Sequence, residues 1–300
     1  MEYLLILGGV IRIWRRNTMC GIIGIMDIKQ HQEKYRDRTL KMRSLIRHRG
    51  PDGSGIYSDS KVILAHERLS IVDVEHGKQP LIDMKTGRVV IANAEIYTHK
   101  ELRTTLAKEH CWQTTSDCEV LLYLYDEYGP EFVKMLSGIF AFIIYDPTSG
   151  DYLIARDHMG ICPLYLGWDE EGILHIASEM KALDPYCKKI EEFPPGHYYQ
   201  SRTKQYTQYY APAWTAMLPA QQVSLPTLRR ELEYAIQKQL MADVPYGVLI
   251  SGGLDSSLIA AIAMKFQPKD QPLHSFAIGL KDSPDLAYAR KVATYLGTVH

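Results

Sequence analysis

Residues 251–257, SGGLDSS, combine the residue types that can hold a phosphate. Paired glycines let a backbone turn tightly and approach a ligand closely. The first N–H groups of a following helix then point at the anion. Ser251, Gly252, Gly253, Ser256 and Ser257 would form the cradle, and Asp255 is placed to hold Mg²⁺ between phosphates. No Gly-Lys-Ser/Thr follows, so this is not a Walker A loop. A serine-capped turn is the plain alternative, but a strand, SGG, Asp and two serines ahead of an apolar helix favour the phosphate reading. Cys20 is a second chemical candidate. A thiol with pKa ~8.5 is mostly protonated at neutral pH and needs a base before it attacks anything. Alone, a cysteine in Met-Cys-Gly reads as a small buried hydrophobe. Arg68 and Asp117, taken singly, read as members of weak surface ion pairs.

The elements that must position these residues change character along the chain. Between residues 20 and 210, short runs rich in Ile, Val and Tyr are bounded by Gly, Asp and Pro: GIIGIMD, KVILAHERLSIVD, RVVIANAEIY, GIFAFIIYD, DYLIARD and ILHIASE. Helical patterns interrupt them at 33–47 and 117–128. Many strands with few helices indicate an α+β domain. Residues 211–226 hold three prolines and read as a linker. Beyond it, helix 228–241, strand 246–250, helix 258–266, strand 274–280 and helix 285–296 alternate, the opening of a parallel α/β sheet. Two strands alone make a poor parallel sheet.

With 46% hydrophobic and 23% charged residues the chain folds rather than staying disordered. Thirty-four Lys and Arg against 35 Asp and Glu leave no basic excess, which argues against nucleic acid as a partner. Five cysteines without a CxxC pair read as reduced thiols in a cytoplasmic protein. In residues 1–19 the apolar run 3–11 falls short of the ~20 residues that span a bilayer. Arg12, Arg15 and Arg16 follow that run instead of preceding it, unlike an export signal. No membrane association is expected beyond a short surface segment.

The motifs in order carry more than any one of them. Residues 244–257, VPYGVLISGGLDSS, resemble the pyrophosphate loop of ATP pyrophosphatase domains, and HSFAIGL (274–280) with LGTVH resembles the next βα unit of glutamine-hydrolysing asparagine synthetases. Upstream, MCGIIG (19–24), HRGPDGSG (48–55), HERLSIVD (66–73), NAEIYTH (93–99), TTSDCEV (114–120), RDHMGICPLY (156–165) and SEMKAL (178–183) resemble a class II glutamine amidotransferase domain. The resemblance implies a layered, N-terminal-nucleophile glutaminase domain over 20–210 and an incomplete ATP-using synthetase domain over 227–300. Cys20 would attack glutamine, with its free α-amine (pKa ~7.7–8.0) as base. Arg68 would hold the substrate carboxylate, Leu69, Ser70, Ile71 and Val72 would line the pocket, and Glu95 and Asp117 would hold the ammonium. Asn93 and the Ala94 N–H would form the oxyanion hole. Ile250 and Ile278 would contact the adenosine. ATP and Mg²⁺ are the implied cofactors, glutamine, aspartate and ATP the substrates, and a second copy of the chain the implied protein partner. His48, His66 and His99 lack metal-ligand spacing and read as structural, as do the Cys111 and Cys118 thiols.

The pattern is broken in three places. Cys20 is preceded by nineteen residues, so its amine is free only if translation starts at Met19 or a leader is removed. Ala94 stands where the family has Gly, Thr115 replaces another Gly, and Thr98 an Asn. A positive φ at Ala94 would cost roughly 1–2 kcal/mol, so the expectation is a weakened pocket that Ala94→Gly would improve. The sequence also stops before the family's later aspartate-binding segment. A chain with glutaminase activity only, or a non-catalytic relic, is the alternative. Other class II amidotransferases lack SGGLDSS, and β-lactam synthetase-like enzymes lose the cysteine.

Overall fold

The structure is a computed structural model, and it describes residues 4–7, 10–13, 19–29, 32–212, 214 and 224–300. The chain divides into two compact units, residues 18–218, and residues 1–17 with 219–300. Most of the expected linker, 211–226, lies outside the described residues.

The chain begins with β1 (Leu4–Leu7) and β2 (Val10–Ile13), which belong to the second unit. In the first unit the elements are β3 (Gly21–Met26), α1 (Gln32–Ile46), β4 (Gly53–Ser58), β5 (Ile63–Arg68), β6 (Leu81–Ile82) and β7 (Val89–Ile96). Then come α2 (His99–Thr105), α3 (Val120–Tyr128), β8 (Gly138–Tyr145), β9 (Tyr152–Arg156), β10 (Tyr165–Trp168) and β11 (Leu174–Ala177). It closes with β12 (Lys189–Glu192), β13 (His197–Gln200) and β14 (Gln205–Gln208). These strands make two antiparallel six-stranded sheets, β12-β10-β11-β3-β5-β4 and β14-β13-β9-β8-β7-β6.

Period-two alternation gives each sheet two apolar faces. Ile23 and Ile25 of β3 and Ile63 and Ala65 of β5 pack with Tyr35, Met42 and Ile46 of α1. Val90, Ala92 and Ile96 of β7 pack with the α3 residues Val120, Leu121 and Leu124. The opposite faces meet each other: a Cβ added at Gly24 would lie 2.8 Å from Ile143 Cδ1 of β8. The result is helix, sheet, sheet, helix, the α+β layering expected from the sequence. Its consequence for chemistry is positional. His66 and Arg68 of β5 and Asn93 and Glu95 of β7 alternate away from the helices, toward the seam between the sheets.

The second unit holds α4 (Leu225–Gln239), β15 (Tyr246–Leu249), α5 (Leu254–Phe266), β16 (His274–Phe276) and α6 (Pro284–Leu296). β15 and β16 pair in parallel, and Val248, Ile250, Ala260, Ala263, Leu273, Ala289 and Ala293 form their core. The sheet order is β1-β2-β15-β16, with β2 antiparallel to β15. The sequence reading gave residues 1–19 no place in either fold, whereas the β1–β2 hairpin covers an edge of this small sheet. Two element boundaries also moved. α5 begins at Leu254 rather than 258, taking LDSS into its first turn, and β16 ends at Phe276 rather than 280.

Candidate functional site

Cys20 immediately precedes β3 at the mouth of the seam. The Leu69 N–H donates to its Sγ over 3.3 Å, and the thiol faces the Leu69 carbonyl oxygen at 3.5 Å. Leu69 follows the last residue of β5, so pairing of β5 with β3 brings the two together. Burial pushes the thiol pKa up to about 11; the Leu69 amide and the cations Arg68 and Arg49 act against this without overcoming it. Arg49 Nε donates to the Cys20 carbonyl over 3.0 Å while Glu179 accepts from Arg49 Nη1, which fixes the backbone at the nucleophile.

A cavity of about 40 Å³ opens beside the thiol, lined by Met19, Cys20, Arg68, Leu69, Ile71, Val72, Asn93, Ala94, Glu95 and Asp117, among others. Nine of the ten expected glutamine-site residues therefore meet in one place. Ser70 is not among the lining residues; its amide donates to Asp52 Oδ2 over 2.9 Å. Gly77, Gln79, Ser116 and Cys118 complete the wall and were not anticipated. Gln79 had no signal in its immediate sequence. It is placed by pairing with Ala92, accepting from the Ala92 N–H at 2.6 Å and donating to the Ala92 carbonyl at 3.1 Å.

Asn93 Nδ2 is buried with no hydrogen-bond partner. Leaving such a donor unpaired costs ~1–3 kcal/mol, which is consistent with a ligand oxygen as its partner. Ala94 corrects an expectation. It sits mid-strand, opposite Phe140, and is absent from the non-glycine residues with positive φ, which are Asp27, Asp73, Lys204 and Asp282 among the described residues. Alanine is unstrained there, so the oxyanion hole is not weakened by that route. Thr115 is likewise outside the positive-φ set. Thr98 Oγ1, in the place of the family's Asn, is buried without a partner.

Polar partners also settle the histidines. His66 is fully buried, with Nε2 3.1 Å from the Ala92 carbonyl oxygen, so Nε2 carries the proton. Burial pushes its pKa down to about 3. His48 pairs with Glu179 at 3.0 Å. Among the described residues no group of three or more His, Cys, Asp or Glu could hold a metal.

In the second unit Gly252 has φ +79, and a Cβ on it would lie 2.4 Å from Tyr288 Cβ of α6. Only glycine satisfies both the turn and that packing. Ser251 N donates to Ser256 Oγ over 3.1 Å, and Ser257 Oγ donates to the Gly253 carbonyl over 2.6 Å. Asp255 lies in the first turn of α5 and is exposed. A glycine cradle, three hydroxyls and one free carboxylate at a helix N-terminus fit a triphosphate with Mg²⁺, which is commonly held by one or two carboxylates plus phosphate oxygens. Ile250 is buried in the core, so only its backbone can face a ligand, while Ile278 is 91% exposed.

A cysteine at the start of a central strand, opening on the seam of two helix-covered antiparallel sheets, defines an N-terminal-nucleophile amidotransferase architecture. Residues 19–221 match the glutamine amidotransferase domain family, and the chain belongs to that family. Residues 227–300 match the asparagine synthase family. Asparagine synthetase B [glutamine-hydrolyzing] of Escherichia coli is 50% identical over 295 residues, covering 94% of this chain and 53% of the relative. The probable asparagine synthetase [glutamine-hydrolyzing] of Dictyostelium discoideum is 44% identical over 301 residues, covering 94% and 54%. The chain thus spans about half the length of the curated relatives it matches. A solved glutamine phosphoribosylpyrophosphate amidotransferase from B. subtilis, complexed with ADP and GMP, shares the fold with TM-score 0.53 and 21% identity, over 64% of this chain and 50% of that one. No helix among the described residues is long and apolar enough to cross a membrane.

Proposed function

We propose that the first unit hydrolyses glutamine and that the second is the nucleotide-binding portion of an asparagine-forming ligase. The observation that carries the first half is the convergence of the Cys20 thiol, the unpaired Asn93 amide, Arg68 and Asp117 on one cavity.

A thiol held neutral to about pH 11 cannot act at neutral pH without a base. In the written chain the Cys20 nitrogen is an amide and Met19 forms part of the cavity wall. Removing residues through Met19 supplies an α-amine at the nucleophile and enlarges the cavity. The amine takes the thiol proton, and sulfur attacks the glutamine side-chain carbon. Asn93 Nδ2 and the Ala94 N–H stabilise the oxyanion, at roughly 3–4 kcal/mol per donor. The proton passes to the departing ammonia, and water cleaves the γ-glutamyl thioester to glutamate.

The SGGLDSS cradle would hold ATP while the aspartate side-chain carboxylate attacks its α-phosphorus, forming the aspartyl adenylate and releasing pyrophosphate; ammonia then displaces AMP to give asparagine. Asp255 would hold Mg²⁺, which screens phosphate charge.

Glutamate release by a chain beginning at Cys20 tests the reading, with Cys20→Ala as the blank. Activity should appear in the former alone and fall about 10²–10³-fold in Asn93→Ala. Equal glutamate release from the Cys20→Ala chain would contradict it.

A further inference from the structure

Arg68 ends strand β5 and Asp117 lies in the turn before α3; these are the two charges assigned to the ends of glutamine, and one buried side chain bridges the segments that hold them. Asp73 is 7% exposed and has φ +49, a left-handed conformation that Asp tolerates better than most non-glycine residues. Its carbonyl oxygen accepts from Arg68 Nη2 at 2.5 Å and from the Gly77 N–H at 2.9 Å. Arg68 also donates to the carbonyls of Val74 and Val72, at 3.0 and 3.3 Å. Three of its five N–H groups are thereby used on backbone, and a second Nη1 hydrogen and the Nε hydrogen remain for a ligand.

The Asp73 carboxylate points the other way. Oδ2 accepts from the Thr115 N–H at 2.7 Å and Oδ1 from the His76 N–H at 3.0 Å. Burial opposes the charge, and those amides with the Thr115 side chain outweigh it, holding the carboxyl below its ordinary range. The loop it grips is pinned from its other side as well. Arg103 donates to the carbonyls of Thr114 and Ser116, and Glu119 accepts from the amides of Gln113 and Thr114. Asp117 follows two residues later and accepts from the Ile96 N–H at 2.8 Å.

We propose that Asp73 is a positioning residue that sets the spacing between the carboxylate-binding Arg68 and the ammonium-binding Asp117, and so selects ligands carrying both groups on one carbon. The inference rests on the glutamine reading above. A ligand with one of the two groups needs only one reader in place, whereas glutamine needs both in register.

The test is calorimetric binding to the chain beginning at residue 20 with Cys20→Ala, which prevents turnover. Three ligands are compared: L-glutamine, 4-aminobutanamide, which lacks the carboxylate, and glutaramate, which lacks the ammonium. Asp73→Asn keeps the size and tolerates the backbone, but its NH₂ group faces one of the two amides. Asp73→Gly keeps the backbone and deletes the carboxylate. Both should weaken glutamine binding by about tenfold or more while changing the one-ended ligands less than threefold, with circular dichroism unaltered. Unchanged glutamine affinity in both variants, or an equal loss for all three ligands, would overturn the proposal, the second result marking general collapse of the pocket. If the parent binds no glutamine at all, the glutamine reading falls and this inference with it.

Discussion

The Leu69 amide nitrogen lies 3.3 Å from the Cys20 sulfur and donates a hydrogen bond to it. One hydrogen bond and two nearby cations do not offset the burial that pushes the thiol pKa up to about 11. In the 300-residue chain, alkylation of Cys20 by iodoacetamide should be slow at pH 7 and accelerate steadily as pH rises toward 11. The sign follows from burial disfavouring the charged form. Peptide mapping at a series of pH values reads it. A plateau reached by pH 8 would mean that the thiolate is stabilised by something the geometry does not contain.

Ala94 occupies a regular strand position opposite Phe140. Glycine there relieves no strain and loosens β7, at a cost of roughly 0.5–1 kcal/mol. Ala94→Gly should therefore leave glutamine hydrolysis unchanged or lower it, together with the melting temperature. A threefold faster rate would restore the strained-alanine view.

Much of this was legible in the sequence, and the misses share a cause. The β-branched, turn-bounded runs of β5 and β7 announced strands and ordered motifs announced the pocket, because both signals are local. Ser70 is absent from the cavity wall, and its amide bonds Asp52, eighteen residues away, a contact that no local pattern announces. Gln79 and Asp73 went unnoticed because each acts through a partner distant in sequence, Ala92 of β7 or Thr115. The boundary of α5 moved since SGGLDSS was read as loop throughout, whereas Gly253 is the N-cap and Leu254 already starts the helix. Ala94 was read from residue type alone, and the strand it lies in decides its φ.

His66 gives the first unit an acid sensitivity. Its folded pKa is lowered from 6.5 to about 3 by burial. Below pH 6.5 the unfolded chain takes up a proton that the folded chain refuses, so stability falls as pH falls. His66→Gln keeps a donor for the Ala92 carbonyl and removes the titration. The variant should be less stable at pH 7, and the gap should narrow by roughly 2 kcal/mol at pH 5. Urea unfolding at both pH values measures it, and a gap independent of pH would show that His66 titrates in the fold as it does in the unfolded chain.

The most direct test is the intact mass of a chain beginning at Cys20, quenched in acid during turnover of glutamine. A γ-glutamyl adduct that maps to Cys20 and is missing from the chain retaining Met19 is the expected result. Glutamine hydrolysis with no adduct on Cys20, or an equal adduct when Met19 remains attached, would contradict the assignment of Cys20 and its freed amine as nucleophile and base.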